Sequence, residues 1–272
     1  MTNAKQSTFR KTTLPGAKAT LRKATARVSI SPTGAKARAI AATEPVAPKV
    51  NPGKTAKPLA PERVAAILDA LKKAYPKAVC ALNHKSAWEL LVATILSAQC
   101  TDVRVNLATP ALFAAFPTPK AMAAASLPEL EELIRPTGFF RNKAKSIKGA
   151  GRVVTEEFGG EVPHTMEELL RIPGAARKTA NVVLGSWFGI AVGVVVDTHV
   201  LRISRRLELT KETTPEKVEQ DLTRVIPQKK WIAFSHEVIF HGRQICIARK
   251  PRCSDCTLER LCNSADKTWS SH

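Results

Sequence analysis

Four cysteines stand in the run CIARKPRCSDCTLERLC, residues 246–262, where Cys246, Cys253, Cys256 and Cys262 are spaced C-x6-C-x2-C-x5-C. Thiolates gathered that closely are soft metal ligands, suited to a tetrahedral zinc ion or to an iron-sulfur cluster. Two further residues have types that could do chemistry. Lys178, in "IPGAARKTANVV", falls in the first turn of a helix that follows a tight turn containing Gly174 and Ala176. A lysine there is opposed by the helix dipole, and dipole and burial together can lower an ammonium from ~10.4 toward ~8, where a useful fraction is a nucleophilic amine. The plainer reading is a solvated or phosphate-contacting charge. Asp197, in "VVVDTHVLRISRRL", follows an apolar run and precedes a helix. It is equally an N-cap or a carboxylate that could take a proton or stabilise positive charge developing on a sugar.

These residues need helices to hold them. From Pro61 onward the pattern is helical nearly throughout, beginning with ERVAAILDALKKAY, whose Val64, Ile67, Leu68 and Leu71 share one face. Ser86-x-x-Glu89, Ser126-x-x-Glu129 and Thr165-x-x-Glu168 are capping-box signatures of helix starts, and Thr214-Pro215 offers a cap with proline at the first helical position. Only GIAVGVVVDTHV could pass for a strand, so the class read from the residues is all-α. The stretch MEELLRIPGAARKTANVVLGSWFGI reads as a helix ending near Arg171, a turn, and a second helix with Ala180, Val183, Leu184 and Trp187 on its buried side. Such a helix-hairpin-helix offers the unpartnered amides of its second helix to a backbone phosphate and grips DNA without reading sequence.

The composition says what partner to expect. The 272 residues carry a net charge of +19, which attracts a polyanion such as nucleic acid or an anionic surface. No apolar run approaches the ~20 residues of a membrane span and no secretory signal is visible, so no membrane association is expected and six cysteines are not read as a disulfide framework. Cys80 and Cys100 read as small core residues. Residues 1–60 hold twelve Lys or Arg against the single acid Glu44, with Phe9 as the one aromatic. That segment, 1–58 in the domain division, reads as a disordered basic tail: a nucleic-acid-binding arm first, a solubilising tail second, an organellar transit peptide third.

Taken together, ILSAQCTD at 95–102, IPGAARKTANVV, VDTHVLRISRRL, HGRQICIARKPRC and the cysteine spacing resemble, in that order, the endonuclease III family of DNA-repair glycosylases over roughly residues 60–263. The resemblance implies two helical domains with a cleft between them. One is a six-helix domain with the helix-hairpin-helix at 80–191, the other a discontinuous cluster domain at 59–79 and 192–272. It implies a [4Fe-4S] cluster on Cys246, Cys253, Cys256 and Cys262, and the uneven spacing favours that cluster over zinc. It implies a bifunctional DNA glycosylase and abasic-site lyase acting on oxidised pyrimidines in base excision repair. Lys178 would attack the sugar C1′ and leave a Schiff base from which β-elimination nicks the strand, with Asp197 as its partner carboxylate. Gln99 would fill the gap left by the flipped nucleotide, and Phe139 or Phe140 would be a second wedge. Gly174 and Ala176 of the hairpin, with Arg249, Lys250 and Arg252 of a loop pinned between two cysteines, would contact double-stranded DNA bearing a damaged base or abasic site. A monomer is expected, in the cytoplasm and nucleoid-associated if bacterial, with organellar targeting by the tail left open.

Ala176 stands where the family more often has a second hairpin glycine, which bears on the φ > 0 geometry of that turn. Two rivals remain. Adenine-mispair glycosylases resemble this chain but lack the lysine and add a C-terminal domain, whereas here Lys178 is present and ten residues follow Cys262. A non-catalytic DNA-binding or redox-sensing cluster protein would use Lys178 only as a phosphate contact.

Overall fold

Caps foreseen from the sequence at Ser86, Ser126, Thr165 and Asp197 start helices in the computed structural model, which describes residues 59–268. The basic tail lies outside the described residues. Helix α1 spans Pro61–Ala74. Ser86 caps α2 (Ala87–Leu96) by accepting from the Glu89 amide, and Thr101 caps α3 (Asp102–Ala115). Thr118 caps α4 (Pro119–Ala124), and Ser126 closes a full capping box with Glu129 at the start of α5 (Leu127–Ile134). A 3-10 turn at Arg135–Thr137 leads into α6 (Phe140–Glu157), and Thr165 caps the single-turn α7 (Met166–Leu169). Then follow α8 (Arg177–Ser186), α9 (Thr198–Arg206), α10 (Pro215–Val225) and α11 (Trp231–Gln244). Thr214 sits at the N-cap of α10 without a side-chain cap bond, so there Pro215 alone marks the start.

Two apolar cores organise these helices. The first is built by α2 to α8 around Leu90, Leu91, Leu96, Leu112, Met122, Ile134, Ile147 and Val183. Of the helices between residues 80 and 191, six have six residues or more and α7 is the short one. The second core joins Val64, Ile67, Leu68 and Leu71 of α1 to Val200, Ile203, Leu222, Phe234 and Val238 of α9, α10 and α11. The α1 face read from the sequence is thus buried, each of its four residues 6% exposed or less. Fully burying an aliphatic side chain contributes about 1.5–3 kcal/mol, so tying α1 to helices more than a hundred residues away is well supported.

The apolar run before Asp197 belongs to both cores. Val195 packs in the first, while Val194 and Val196 pack in the second. The alternation is that of an extended chain, yet no strand forms among the described residues: the Val195 amide donates to Ser235 Oγ at 3.1 Å instead of to a ladder partner. The segment that could pass for a strand is the buried connector between the cores.

One expected burial is absent. Trp187 is 42% exposed and ends α8 as its C-cap residue, with its ring edge-on to His84 at 5.9 Å. Counting helical turns put it on the buried face; the helix ends before that face continues. Among the described residues no helix is long and apolar enough to cross a membrane.

Candidate active site

The turn before α8 brings its N-terminus to the surface. Gly174 has φ +84, and a Cβ there would fall 2.9 Å from the Ser146 Cβ and 3.1 Å from Ile95, so both conformation and space call for glycine. Ala176 is different. Its φ of −88 and ψ of 172 are extended, and alanine meets no left-handed requirement where the family more often has glycine. Because Ala176 supplies no side-chain cap, the first amides of α8 have no side-chain acceptor and remain at the positive end of the helix dipole. Lys178 projects from this turn and is exposed, so of the two influences read from the sequence the chain itself supplies the dipole but not the burial.

Lys178 and Asp197 line one cleft of ≈ 80 Å³. Its wall draws on both cores: Thr94 and Ser97 from α2, Val182 from α8, and Ser235, His236 and Arg243 from α11. Asp197 is the N-cap of α9 and also lines the cleft. As N-cap of α9 its Oδ1 accepts from the His199 and Val200 amides, each at 2.8 Å, while Oδ2 lies 3.0 Å from His199 Nδ1. Burial pushes the carboxyl up, but the His199 hydrogen bond, the Val200 amide, the His199 charge and the nearby Lys178 together hold it below its ordinary value. It is a carboxylate at neutral pH, in a cleft with a lysine.

Sequence reasoning missed two histidines here. His199 stands two residues after Asp197, a spacing that could have drawn attention to it. His236 comes from distant α11, hydrogen-bonds Ser186 Oγ at 3.2 Å, and is held below its ordinary value by burial, hence neutral. Cys80 also lines the cleft and is only half buried, as is Cys100, although both pack on the first core. Burial pushes the Cys80 thiol up.

Gln99 and Phe139 share an unusual backbone. Gln99 has φ +51 and Phe139 φ +48, both left-handed, and both are exposed, Phe139 by 65%. Such a conformation costs on the order of 1–3 kcal/mol and persists only where surroundings enforce it. The Gln99 turn is pinned by the Cys100 amide donating to Ser97 O at 3.0 Å and by Arg243, which bonds Asp102 at 2.5 Å. The Phe139 turn is closed by buried Lys143, whose Nζ donates to Thr137 O at 2.8 Å. Of the two phenylalanines Phe139 is the exposed one, whereas Phe140 packs against the first core with the Arg135 guanidinium 5.3 Å from its ring centre.

The four cysteine thiols line a common cavity of ≈ 30 Å³ beside the second core. Arg206 Nη1 donates to Cys246 Sγ at 3.2 Å, and His241 Nε2 lies 3.5 Å from Cys256 Sγ. Burial, and then the neighbouring thiolates against a backbone bond, push the Cys256 thiol up to about 11. Among the described residues no three His, Cys, Asp or Glu side chains converge as ligands of a single ion. In the loop between Cys246 and Cys253, Arg249 and Lys250 are exposed and Lys250 has φ +54. Arg252 is exposed as well, and its guanidinium donates to the Gln244 carbonyl, with Nε at 3.1 Å.

Comparison with known proteins gives this geometry a context. Residues 92–228 match the family described as HhH-GPD superfamily base excision DNA repair protein. The chain is 59% identical to endonuclease III of Synechocystis sp. over 204 residues, 75% of this chain and 93% of that protein. It is 40% identical to endonuclease III of Escherichia coli over 201 residues, 74% of this chain and 95% of the relative. A solved structure of a trapped endonuclease III-DNA covalent intermediate superposes with a TM-score of 0.72 at 41% identity, covering 75% of this chain and 96% of that one. A thermostable thymine-DNA glycosylase, 20% identical with a TM-score of 0.67, shares the fold.

Proposed function

The chain belongs to the endonuclease III family within the HhH-GPD superfamily of base excision DNA repair proteins, and from that membership we propose how its own residues act as a glycosylase and abasic-site lyase on oxidised pyrimidines in duplex DNA. The observation that carries the reading is the meeting of Lys178, at the uncapped start of α8, with the Asp197 carboxylate in one cleft walled by both cores.

The uncapped amides of α8, the Gly174 turn, and exposed Arg249 and Lys250 form a cationic and dipolar set suited to backbone phosphates. Held there, the duplex presents a flipped nucleotide to the cleft. The Lys178 amine forms a bond to C1′ as the glycosidic bond breaks and the base leaves. Asp197, kept ionised by His199 and two backbone amides, takes the amine proton and stabilises positive charge on the sugar. Opening of the sugar ring gives an imine to Lys178; loss of a C2′ proton then expels the 3′ phosphate and nicks the strand.

Left-handed Gln99 and Phe139 serve as plugs for the opened duplex. A duplex carrying one thymine glycol should therefore be nicked by the wild-type protein. Gln99→Ala should slow that reaction by ~10-fold or more, the order of one lost positioning contact, while cleaving a preformed abasic site in single-stranded DNA almost normally. Equal losses on both substrates would give Gln99 a folding role, and no nicking by the wild type would overturn the function.

Cys246, Cys253, Cys256 and Cys262 would hold a [4Fe-4S] cluster. An all-thiol donor set around a shared cavity, with Arg206 donating to a sulfur, fits a group whose ligands sit apart on a cube better than an ion drawing four sulfurs to ~2.3 Å. When bound, the cluster supplies a structural pin for the loop bearing Arg249 and Lys250. The purified protein should be yellow-brown with broad visible absorption and contain iron; a colourless protein with stoichiometric zinc would overturn this. In domain terms we read residues 59–79 with 192–272 as the cluster domain and 80–191 as the helix-hairpin-helix domain, each around one of the two cores. Activity on chromosomal DNA would place the protein with the nucleoid in a bacterium.

A further inference from the structure

Beside Lys178 a single buried carboxylate ties together three parts of the chain. Glu219 of α10 has a side chain only 8% exposed. It receives Arg177 in bidentate fashion, Nε at 2.7 Å from Oε2 and Nη2 at 3.1 Å from Oε1, and it accepts Asn181 Nδ2 at 3.0 Å. Arg177 and Asn181 are four residues apart on α8 and so lie on one face, flanking the turn that carries Lys178. The third part is Gly193, in the connector that leads through Val194–Val196 to Asp197. A Cβ on Gly193 would fall 1.9 Å from Glu219 Oε1 and 3.0 Å from Asn181 Nδ2, so the connector runs directly against the carboxylate. The contact is kept although buried Asn181 Oδ1 finds no partner among the described residues, a deficit that well-packed structures usually avoid.

We propose that Glu219 is a positioning residue, which fixes the helix bearing Lys178 against the connector bearing Asp197 and so sets the amine relative to the carboxylate. This rests on the assignment of Lys178 and Asp197 to the chemistry. Lys178 belongs to a helix of the first core and Asp197 opens a helix of the second. Their relative placement is therefore only as definite as the contacts that bridge the cores. A bidentate arginine–carboxylate pair fixes direction as well as distance, which a hydrophobic contact does not. Glu219 is too buried to meet a phosphate, so its effect reaches the reaction through α8 and the connector.

The test uses the full chain carrying its metal group. Trapping by borohydride on a duplex with a preformed abasic site is measured in single turnover at saturating protein, beside the affinity for the same duplex. Glu219→Gln should lower the trapping rate by ~10- to 100-fold, the scale of an ångström of misplacement, with affinity held within about threefold. Gly193→Ala, which displaces the carboxylate while leaving its partners Arg177 and Asn181 unchanged, should repeat that split. Arg177→Lys keeps the charge but not the fork, and should lose rate as well, though less than Arg177→Met. Because Arg177 is half exposed, this variant and Arg177→Met keep the proposal testable if Glu219→Gln fails to fold; Arg177→Met should then show the split in full and Arg177→Lys a smaller one. Trapping unchanged in the folded variants, or rate and affinity falling together, would overturn the proposal. Lys178→Gln is assayed in parallel: if it still traps, the underlying assignment fails whatever Glu219 does.

Discussion

Lys178→Gln is expected to abolish the borohydride-trapped adduct with abasic DNA, because in the proposed mechanism that amine forms the imine that borohydride reduces, and among the described residues lining the cleft no other carries an amine. The loss is one of kind rather than degree, which makes it the largest effect expected of any single substitution here. Folding should be nearly unaffected, since Lys178 is exposed and a surface substitution of that sort changes stability by within about 0.5 kcal/mol. Duplex binding should also survive. The α8 amides, Arg249 and Lys250 remain, and one lost cation among several phosphate contacts lowers the salt slope by about one unit. A wild-type protein that nicks abasic DNA but never traps would remove the Schiff-base mechanism, and a Lys178→Gln variant that still traps would move the nucleophile to another amine.

Asp197→Asn is expected to slow base excision by ~10²- to 10⁴-fold, the range for losing a proton-transfer group, while trapping on a preformed abasic site stays detectable because Lys178 is intact. The choice of asparagine matters because Asp197 also caps α9. Asn and Asp are about equal as N-caps, and the Asn oxygen can keep the bonds to the His199 and Val200 amides. The variant therefore separates catalysis from capping, which Asp197→Ala would not, as loss of the cap costs about 1 kcal/mol. The pH dependence follows from the direction of the shift. The folded-state pKa of Asp197 is depressed, so the stability it adds is present above the unfolded carboxyl pKa and is lost as pH falls through the lower, folded value. Wild type and variant should accordingly converge in stability toward acid. If Asp197→Asn excises at the wild-type rate per folded molecule, Asp197 is a cap and nothing more.

Much of this was legible in the chain alone, for a definite reason. Ser86, Ser126 and Thr165 cap helices because a cap depends on residues three apart, and the α1 stripe is buried because helical period is a local property. The four cysteines lie within seventeen residues, and Lys178 and Asp197 sit at helix starts that their immediate neighbours announce. Where the outcome depended on how far an element continues or what packs on it, local pattern fell short. Trp187 lies past the turn where α8 stops, and the Gln244 carbonyl that Arg252 meets is eight residues away. Phe139 and Phe140 have the same chemistry and differ only in a left-handed φ that sends one to solvent and the other to the core.

The helical class and several of the helix starts follow from neighbours along the chain, and reading the residues in order is enough to obtain them. That Lys178 and Asp197 share a cleft is a property of the folded molecule. Their meeting depends on Val194, Val195 and Val196 alternating between two cores, and on Glu219 bridging to a helix some forty residues away. A run of valines has no local preference between a strand and a buried connector; the choice is made by the apolar surfaces that close on either side of it, which belong to residues from Val64 to Leu258.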